Sequence, residues 1–130
     1  MMVIDTSAVV AILNREPQAE RLVRCALESR GMLMSRGTVV ELGIVVQTKW
    51  GAGGDSLKVT LLNRLRIEAV DVDAEQARLA IEAYSRFGRG TGSRARLNFG
   101  DCFAYACARH FSLPLLYKGE DFARTDIAAA

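Results

Sequence analysis

The chain has 130 residues, of which 50% are hydrophobic and 25% are charged, with a formal net charge of +2. This size and composition predict one folded domain over residues 1–130 and exclude a disordered chain. The longest apolar runs fall far short of the roughly 20 residues that span a bilayer, which excludes a membrane protein. The first apolar residues run directly into Asp5 without the longer apolar stretch of a signal peptide. We therefore expect a cytoplasmic protein.

Short apolar strands alternate with helical segments along the chain. We predict strands at residues 2–5, 32–34, 67–72 and 114–117. Helices are predicted at 7–14, 17–30, 38–50, from 55 or 56 to 65, from 73 or 74 to 84, and 98–111, with a short helix after 118–121. Such alternation is typical of βαβ units. The expected fold is α/β: a mostly parallel sheet of four to five short strands between two layers of helices.

Acidic residues follow several of the predicted strands. Asp5 ends the first strand, Glu41 lies one turn into the helix after the second, Asp101 lies in the first turn of the helix at 98–111, and Glu120 and Asp121 follow the last strand. Ligands of open parallel sheets bind beyond the carboxyl ends of the strands. We therefore expect these carboxylates to share one edge of the sheet, where a hard divalent cation such as Mg²⁺ or Mn²⁺ would offset their repulsion.

Each acid also has an interpretation that requires no ligand. Thr38 and Glu41 have the spacing of a capping box, in which the glutamate bonds back to the first residue of the helix. Asn98 and Asp101 have the same spacing, and Asp5 could cap the first helix. The two interpretations are compatible, because a helix N-terminus also stabilises the ionised carboxylate that a metal ion needs.

A basic loop precedes Asp101. It contains no acidic residue and three glycines, and its arginines are Arg86, Arg89, Arg94 and Arg96. A cationic loop beside an acidic site suits a phosphodiester backbone, which the arginines would hold. The alternative is a solvated surface segment.

Other chemistries are poorly represented. Three cysteines form no C-x-x-C pair, which argues against a disulfide framework and a thiolate zinc site. His110 is the only histidine and belongs to no catalytic motif. An aspartyl-phosphate phosphatase would need a second acid two residues after Asp5, where Ser7 stands, and a receiver domain would need an acidic pair after the first strand.

Four segments together resemble a known family. They are residues 3–8, 41–42, 97–106 (LNFGDCFAYA) and 115–122. They resemble the PIN domain and, more narrowly, the VapC toxins of bacterial type II toxin–antitoxin pairs. The resemblance extends over essentially the whole chain and implies a three-layer α/β/α domain.

The resemblance implies an activity and partners. The expected activity is a Mg²⁺- or Mn²⁺-dependent endoribonuclease that cuts transfer or ribosomal RNA, leaves 5′-phosphate and 3′-hydroxyl ends, and so arrests translation. The expected partners are a second copy of the chain and a VapB-type antitoxin, which would form a hetero-oligomer with the toxin. The alternative is a PIN scaffold with degraded chemistry, which would normally have lost one of the acids Asp5, Glu41 or Asp101.

The resemblance also assigns roles to residues. Asp5 and Asp101 match the principal metal ligands, and Glu41 matches the third acid of the catalytic set. The residues expected to orient these acids are Thr6 or Ser7, for the first aspartate, and Asn98. The arginines of the basic loop are expected to contact RNA.

The fourth acid is less well defined. Many PIN sequences have an aspartate where Gly119 stands here, followed two residues later by another. We assign the fourth catalytic position to Asp121, with Glu120 as the alternative.

Overall fold

One parallel sheet forms the centre of the computed structural model, which describes residues 1–130. Its strands are β1 (Met2–Ile4), β2 (Met32–Ser35), β3 (Ile67–Val70) and β4 (Leu115–Leu116). The spatial order is β3-β2-β1-β4, and every neighbouring pair is parallel. The sheet thus has four strands, at the lower end of the expected number.

Six α-helices flank this sheet. They are α1 (Thr6–Leu13), α2 (Ala19–Glu28), α3 (Arg36–Trp50), α4 (Ala52–Arg64), α5 (Ala74–Phe87) and α6 (Phe99–Phe111). A single 3₁₀ turn, Phe122–Arg124, follows β4. No helix is both long and apolar enough to cross a membrane.

Alternating side chains of the strands build two cores. Ile4 and Leu116 point into a core shared with α1, α2 and α3, whereas their neighbours Val3 and Leu115 point into a core shared with α5 and α6. This period-two pattern is possible because both faces of the sheet are covered by helices. The three-layer α/β/α fold is therefore confirmed.

Three helix starts differ from the sequence expectation by two residues or more. Ser35, at the end of β2, caps α3 by accepting a hydrogen bond from the Gly37 N–H, so this helix begins two residues early. Gly51 has φ +63° and separates α3 from α4, which begins at once at Ala52. Pro17 lies before α2 and not at its first position, because the chain still turns there.

The strand order determines where a ligand can bind. The chain moves from β1 outward to β2 and β3, and then returns to place β4 on the other side of β1. Crevices beyond the carboxyl ends of parallel strands open where the order reverses in this way. Asp5, which directly follows the central strand β1, lies at this point of the sheet.

Candidate active site

Asp5 joins β1 to α1 and is almost fully buried, with 2% of its surface exposed. It caps α1, since its Oδ2 accepts a hydrogen bond of 2.9 Å from the Ser7 N–H. Its Oδ1 is buried and has no hydrogen-bond partner. Buried polar atoms are seldom left without a partner, and a bound ion is one of the explanations for such an atom.

The surroundings of Asp5 disfavour its negative charge. Burial is the largest cause that raises the pKa of Asp5 to about 7, and the charges of Asp101 and Glu41 raise it further against the hydrogen bonding of Ser7. A cation beside Oδ1 would reverse this balance, because an opposite charge favours the ionised carboxylate.

Asp101 occupies the third position of α6. Its Oδ2 accepts a 2.9 Å hydrogen bond from the Asn98 N–H, and the Asn98 side chain accepts one of 2.8 Å from the Asp101 N–H. This is the capping box that the spacing predicted. Burial raises the pKa of Asp101 to about 6, and Glu41 and Asp121 contribute further negative charge.

Glu41 reaches the same edge from α3, but its hydrogen bond differs from the expectation. Its Oε1 accepts a hydrogen bond of 2.6 Å from the Thr6 hydroxyl. Thr38 therefore forms no capping box with Glu41, because Ser35 already caps the helix and the buried Thr38 hydroxyl has no partner. Thr6 holds Glu41 and not Asp5, a contact between residues 35 positions apart that no local pattern predicts.

These acids share one feature. Asp5, Glu41 and Asp101 each use one carboxylate oxygen in a hydrogen bond that fixes the side chain, and each keeps the other oxygen without one. No group of three or more histidine, cysteine, aspartate or glutamate side chains is close enough, as oriented here, to hold a metal ion. Carboxylate oxygens are nonetheless the donors that Mg²⁺ and Mn²⁺ prefer, so the donor chemistry suits such an ion.

The two candidates for the fourth acid differ in their surroundings. Both Glu120 and Asp121 are exposed. The charge of Asp121 raises the pKa of Asp101, whereas the charge of Glu120 adds to the burial that raises the pKa of Tyr117. Of the two, Asp121 is the one whose charge acts on Asp101.

The turn after β4 is tied to the first helix. The Lys118 N–H donates a 3.0 Å hydrogen bond to Ser7 Oγ, and the Lys118 ammonium pairs with Glu16. Ser7 thus contacts Asp5 through its backbone and the turn through its hydroxyl. No local sequence pattern indicates this role of Lys118, because its partners lie more than 100 residues away.

The basic loop is closed at its base by main-chain hydrogen bonds. The Arg89 N–H bonds to the Leu97 carbonyl at 2.9 Å, and the Leu97 N–H bonds to the Phe87 carbonyl at 2.8 Å. Together with buried Ala95 and Leu97, these bonds anchor the loop. The base of the loop is therefore packed and hydrogen-bonded, whereas its arginines are exposed.

The arginines of this loop have different surroundings. Arg89 is the one whose charge lowers the pKa of Asp101. Arg86 is directed to Asp126 at 3.3 Å. Arg94 and Arg96 are exposed. A further arginine outside the loop, Arg124, donates a hydrogen bond to the Arg94 carbonyl.

Comparison with known proteins places the whole chain in one family. The model of the PIN domain family matches residues 2–128. A protein of Mycolicibacterium smegmatis named Ribonuclease VapC is 46% identical over 128 residues, which cover 98% of each chain. Ribonuclease VapC30 of Mycobacterium tuberculosis is 44% identical over 127 residues, covering 98% of this chain and 96% of the relative.

Solved structures agree with the fold. The crystal structure of VapC20 of Mycobacterium tuberculosis, described as a sarcin–ricin loop cleaving toxin, matches 100% of this chain and 98% of its own, with TM-score 0.80 and 15% identity. VapBC2 of Rickettsia felis, solved with a DNA fragment of its promoter, matches 98% of this chain and 95% of its own, with TM-score 0.70 and 17% identity. The chain therefore belongs to the PIN domain family and, within that family, to the VapC proteins.

Proposed function

We propose that this chain is a divalent-metal-dependent endoribonuclease and the toxin of a type II toxin–antitoxin pair. The observation that carries the proposal is the set of three acids at the carboxyl edge of the sheet, each fixed by one oxygen and free at the other. The names of its relatives, which are ribonucleases, support the same activity.

Asp5 and Asp101 are the residues that would hold a Mg²⁺ or Mn²⁺ ion. Asp5 offers the buried Oδ1 that has no partner. The pKa values of both acids are raised, mainly by burial and further by the neighbouring negative charges. A bound divalent ion supplies Lewis-acid chemistry, which activates water and stabilises charge on a phosphate. Glu41 and Asp121 complete the acidic set from α3 and from the turn after β4.

The chain's own side chains would position the reacting groups. Thr6 holds Glu41, and Ser7 and Asn98 hold Asp5 and Asp101 through main-chain and side-chain hydrogen bonds. Such fixed carboxylates require little reorganisation when the substrate arrives.

The basic loop would bind the RNA backbone. Arg89 acts on Asp101 electrostatically and so lies toward the acids, whereas Arg94 and Arg96 are exposed farther along the loop. Arg86 would contribute only after leaving Asp126. Arginine in such a loop neutralises phosphates without reading sequence.

The substrate that we propose is transfer or ribosomal RNA, cut to 5′-phosphate and 3′-hydroxyl ends so that translation stops. VapC20, described as cleaving the sarcin–ricin loop, is a related fold with such a target. Cleavage of these RNAs would take place in the cytoplasm.

The partners that we propose are a VapB-type antitoxin and a second copy of the chain, giving a homodimer and a toxin–antitoxin hetero-oligomer. Structural relatives are described as toxin–antitoxin complexes, among them assemblies from Klebsiella pneumoniae and Rickettsia felis. In addition, Val40, Ile44, Ile81 and Phe99 are exposed. Val40 and Ile44 line one groove with Phe99, and Ile81 lines the neighbouring groove with the same Phe99. A contiguous exposed apolar patch is typical of a surface that a partner covers.

Induced expression tests this function. We expect the wild type to arrest growth and to create discrete new 5′-phosphate ends in the cell's RNA, and the Asp5→Ala/Asp101→Ala variant to do neither. Asp55 provides the matched control, because it is an exposed acid on α4 that is not one of the acids proposed for the site. Asp55→Ala should behave as the wild type.

Purified protein separates the enzyme from a scaffold. Wild-type protein incubated with total RNA should cleave in Mn²⁺ and not in EDTA. A correctly folded wild type that cuts no RNA with either Mg²⁺ or Mn²⁺ would instead indicate a PIN scaffold with degraded chemistry.

A further inference from the structure

The start of α6 lies unusually close to the carboxylate of Glu41. Gly100 is the second residue of α6, and a Cβ atom added to it would lie 1.5 Å from Glu41 Oε2 and 2.3 Å from Glu41 Cδ. Real Cβ atoms essentially never come within 3.0 Å of a heavy atom that belongs to a non-neighbouring residue. The carboxylate therefore occupies the space that any other residue at position 100 would need.

A second glycine brings the two helices together. Gly37 lies four residues before Glu41 on α3, and its added Cβ would lie 2.3 Å from Cγ of the Phe103 ring. Phe103 lies three residues after Gly100, so both contacts fall on one face of each helix. The helices thus meet through two glycines, one from each, and Glu41 lies over the first turn of α6.

Glu41 is held from the opposite side by the first helix. The buried Thr6 hydroxyl donates to Oε1, while Oε2 faces Gly100. The N-terminal turn of a helix also carries partial positive charge that favours a carboxylate. Thr6 on one side and Gly100 on the other therefore hold the Glu41 carboxylate in place.

We propose that Gly100 is a positioning residue for Glu41: its missing side chain is what allows the Glu41 carboxylate to reach the start of α6 while it keeps the Thr6 hydrogen bond. This inference rests on the proposed function, in which Glu41 is one of the catalytic acids. Gly100 itself touches no substrate and acts only through Glu41.

Replacing Gly100 should displace Glu41 without unfolding the protein. The atoms that an alanine Cβ would meet are the end of a flexible side chain, which can rotate away. Glu41 would then lose its bond to Thr6 and its place beside Asp101. A displacement on the order of 1 Å in a catalytic group costs about 100-fold in rate.

Gly53 provides a matched control. It is the second residue of α4, as Gly100 is of α6, and an added Cβ at Gly53 would meet nothing within 4 Å. Gly53→Ala should therefore report only the general preference of helices for alanine over glycine.

The experiment is a double-mutant cycle of Gly100→Ala and Glu41→Ala in the full chain, with two readouts. The first is kcat and KM for cleavage of purified ribosomal RNA and bulk transfer RNA in Mn²⁺. We expect Gly100→Ala to lower kcat about 100-fold with little change in KM, and to lower it no further in the Glu41→Ala background. Gly53→Ala should leave both constants unchanged.

The second readout is the melting temperature of the same proteins in EDTA, which requires neither metal nor substrate. Gly100→Ala should raise the melting temperature in the Glu41→Ala background, as Gly53→Ala does, because alanine favours the helix once no carboxylate is displaced. In the presence of Glu41 it should lower the melting temperature, because the bond to Thr6 is lost.

The proposal is overturned if Gly100→Ala changes kcat and melting temperature by the same amount in both backgrounds. If the wild type cuts no RNA, the proposed function fails instead, and if Glu41→Ala keeps full activity, the catalytic role proposed for Glu41 fails. The melting temperatures then still decide whether Gly100 accommodates Glu41. The contact is supported if Gly100→Ala lowers the melting temperature in the presence of Glu41 and raises it in the Glu41→Ala background, and it is refuted if the shift is the same in both.

Discussion

The buried carboxylate of Asp5 should make the metal-free protein less stable as the pH rises. A pKa raised from the ordinary value of 3.8 to about 7 corresponds to about 4 kcal/mol against ionising Asp5 in the folded state. Between these two values the folded protein binds more protons than the unfolded chain, so the free energy of unfolding must fall with rising pH. Above about pH 7 this contribution is constant.

Asp5→Asn removes this dependence. The asparagine oxygen can still accept the hydrogen bond from the Ser7 N–H. The asparagine NH₂ group, however, takes the position of Oδ1, where it finds no hydrogen-bond partner, and this lowers the free energy of unfolding by about 1–3 kcal/mol. At high pH the variant should therefore be more stable than the wild type by about 1–3 kcal/mol, since it avoids the ionisation. Near pH 4 it should be less stable by a similar amount.

Urea unfolding in EDTA, followed by the fluorescence of the single tryptophan, Trp50, measures both curves across this pH range. The two curves should cross between about pH 4 and pH 7. In a second measurement at high pH, Mn²⁺ should stabilise the wild type more than the variant. An ion that binds the folded state adds to its stability, and the variant lacks the Asp5 carboxylate that would bind the ion. A difference between the two proteins that does not vary with pH would refute the argument from burial.

Three further outcomes are expected. Gly37→Ala, whose Cβ would lie 2.3 Å from Cγ of Phe103, should lower stability by about 1–3 kcal/mol in calorimetry, because Cγ is the base of the ring and not the far end of a flexible side chain. Asp121→Asn should slow RNA cleavage by about tenfold or more, and Glu120→Gln should not, when initial rates are compared in Mn²⁺. Arg89→Ala should weaken RNA binding and reduce the slope of affinity against salt by about one, measured by fluorescence anisotropy.

Local patterns predicted those parts of the molecule that local forces determine. The apolar run before Asp5 forms β1, and the spacing of Asn98 and Asp101 forms the capping box of α6. Each of these features is complete within about four residues, so a sequence pattern contains all of its partners. The acids that follow strands reach one edge of the sheet because parallel strands share their direction.

The contacts that refine the site could not be predicted in this way. Thr6 and Glu41 form a hydrogen bond although they lie on different helices. Thr38 is of a residue type that caps helices, but the N-cap of α3 is Ser35. The close approach of Gly100 to Glu41 depends on how two helices cross. Such features follow from tertiary packing, which overrides the preferences of single residues.

The order of the strands has a consequence for the newly made chain. The central strand β1 lies at residues 2–4, yet its neighbour β4 lies at residues 115–116 and is synthesised more than 100 residues later. Until then one edge of β1 lacks its partner, and the turn that bears Asp121 has not been made. A chain that stops before β4 therefore lacks both the neighbour of β1 on that side and Asp121, the residue that we propose as the fourth acid.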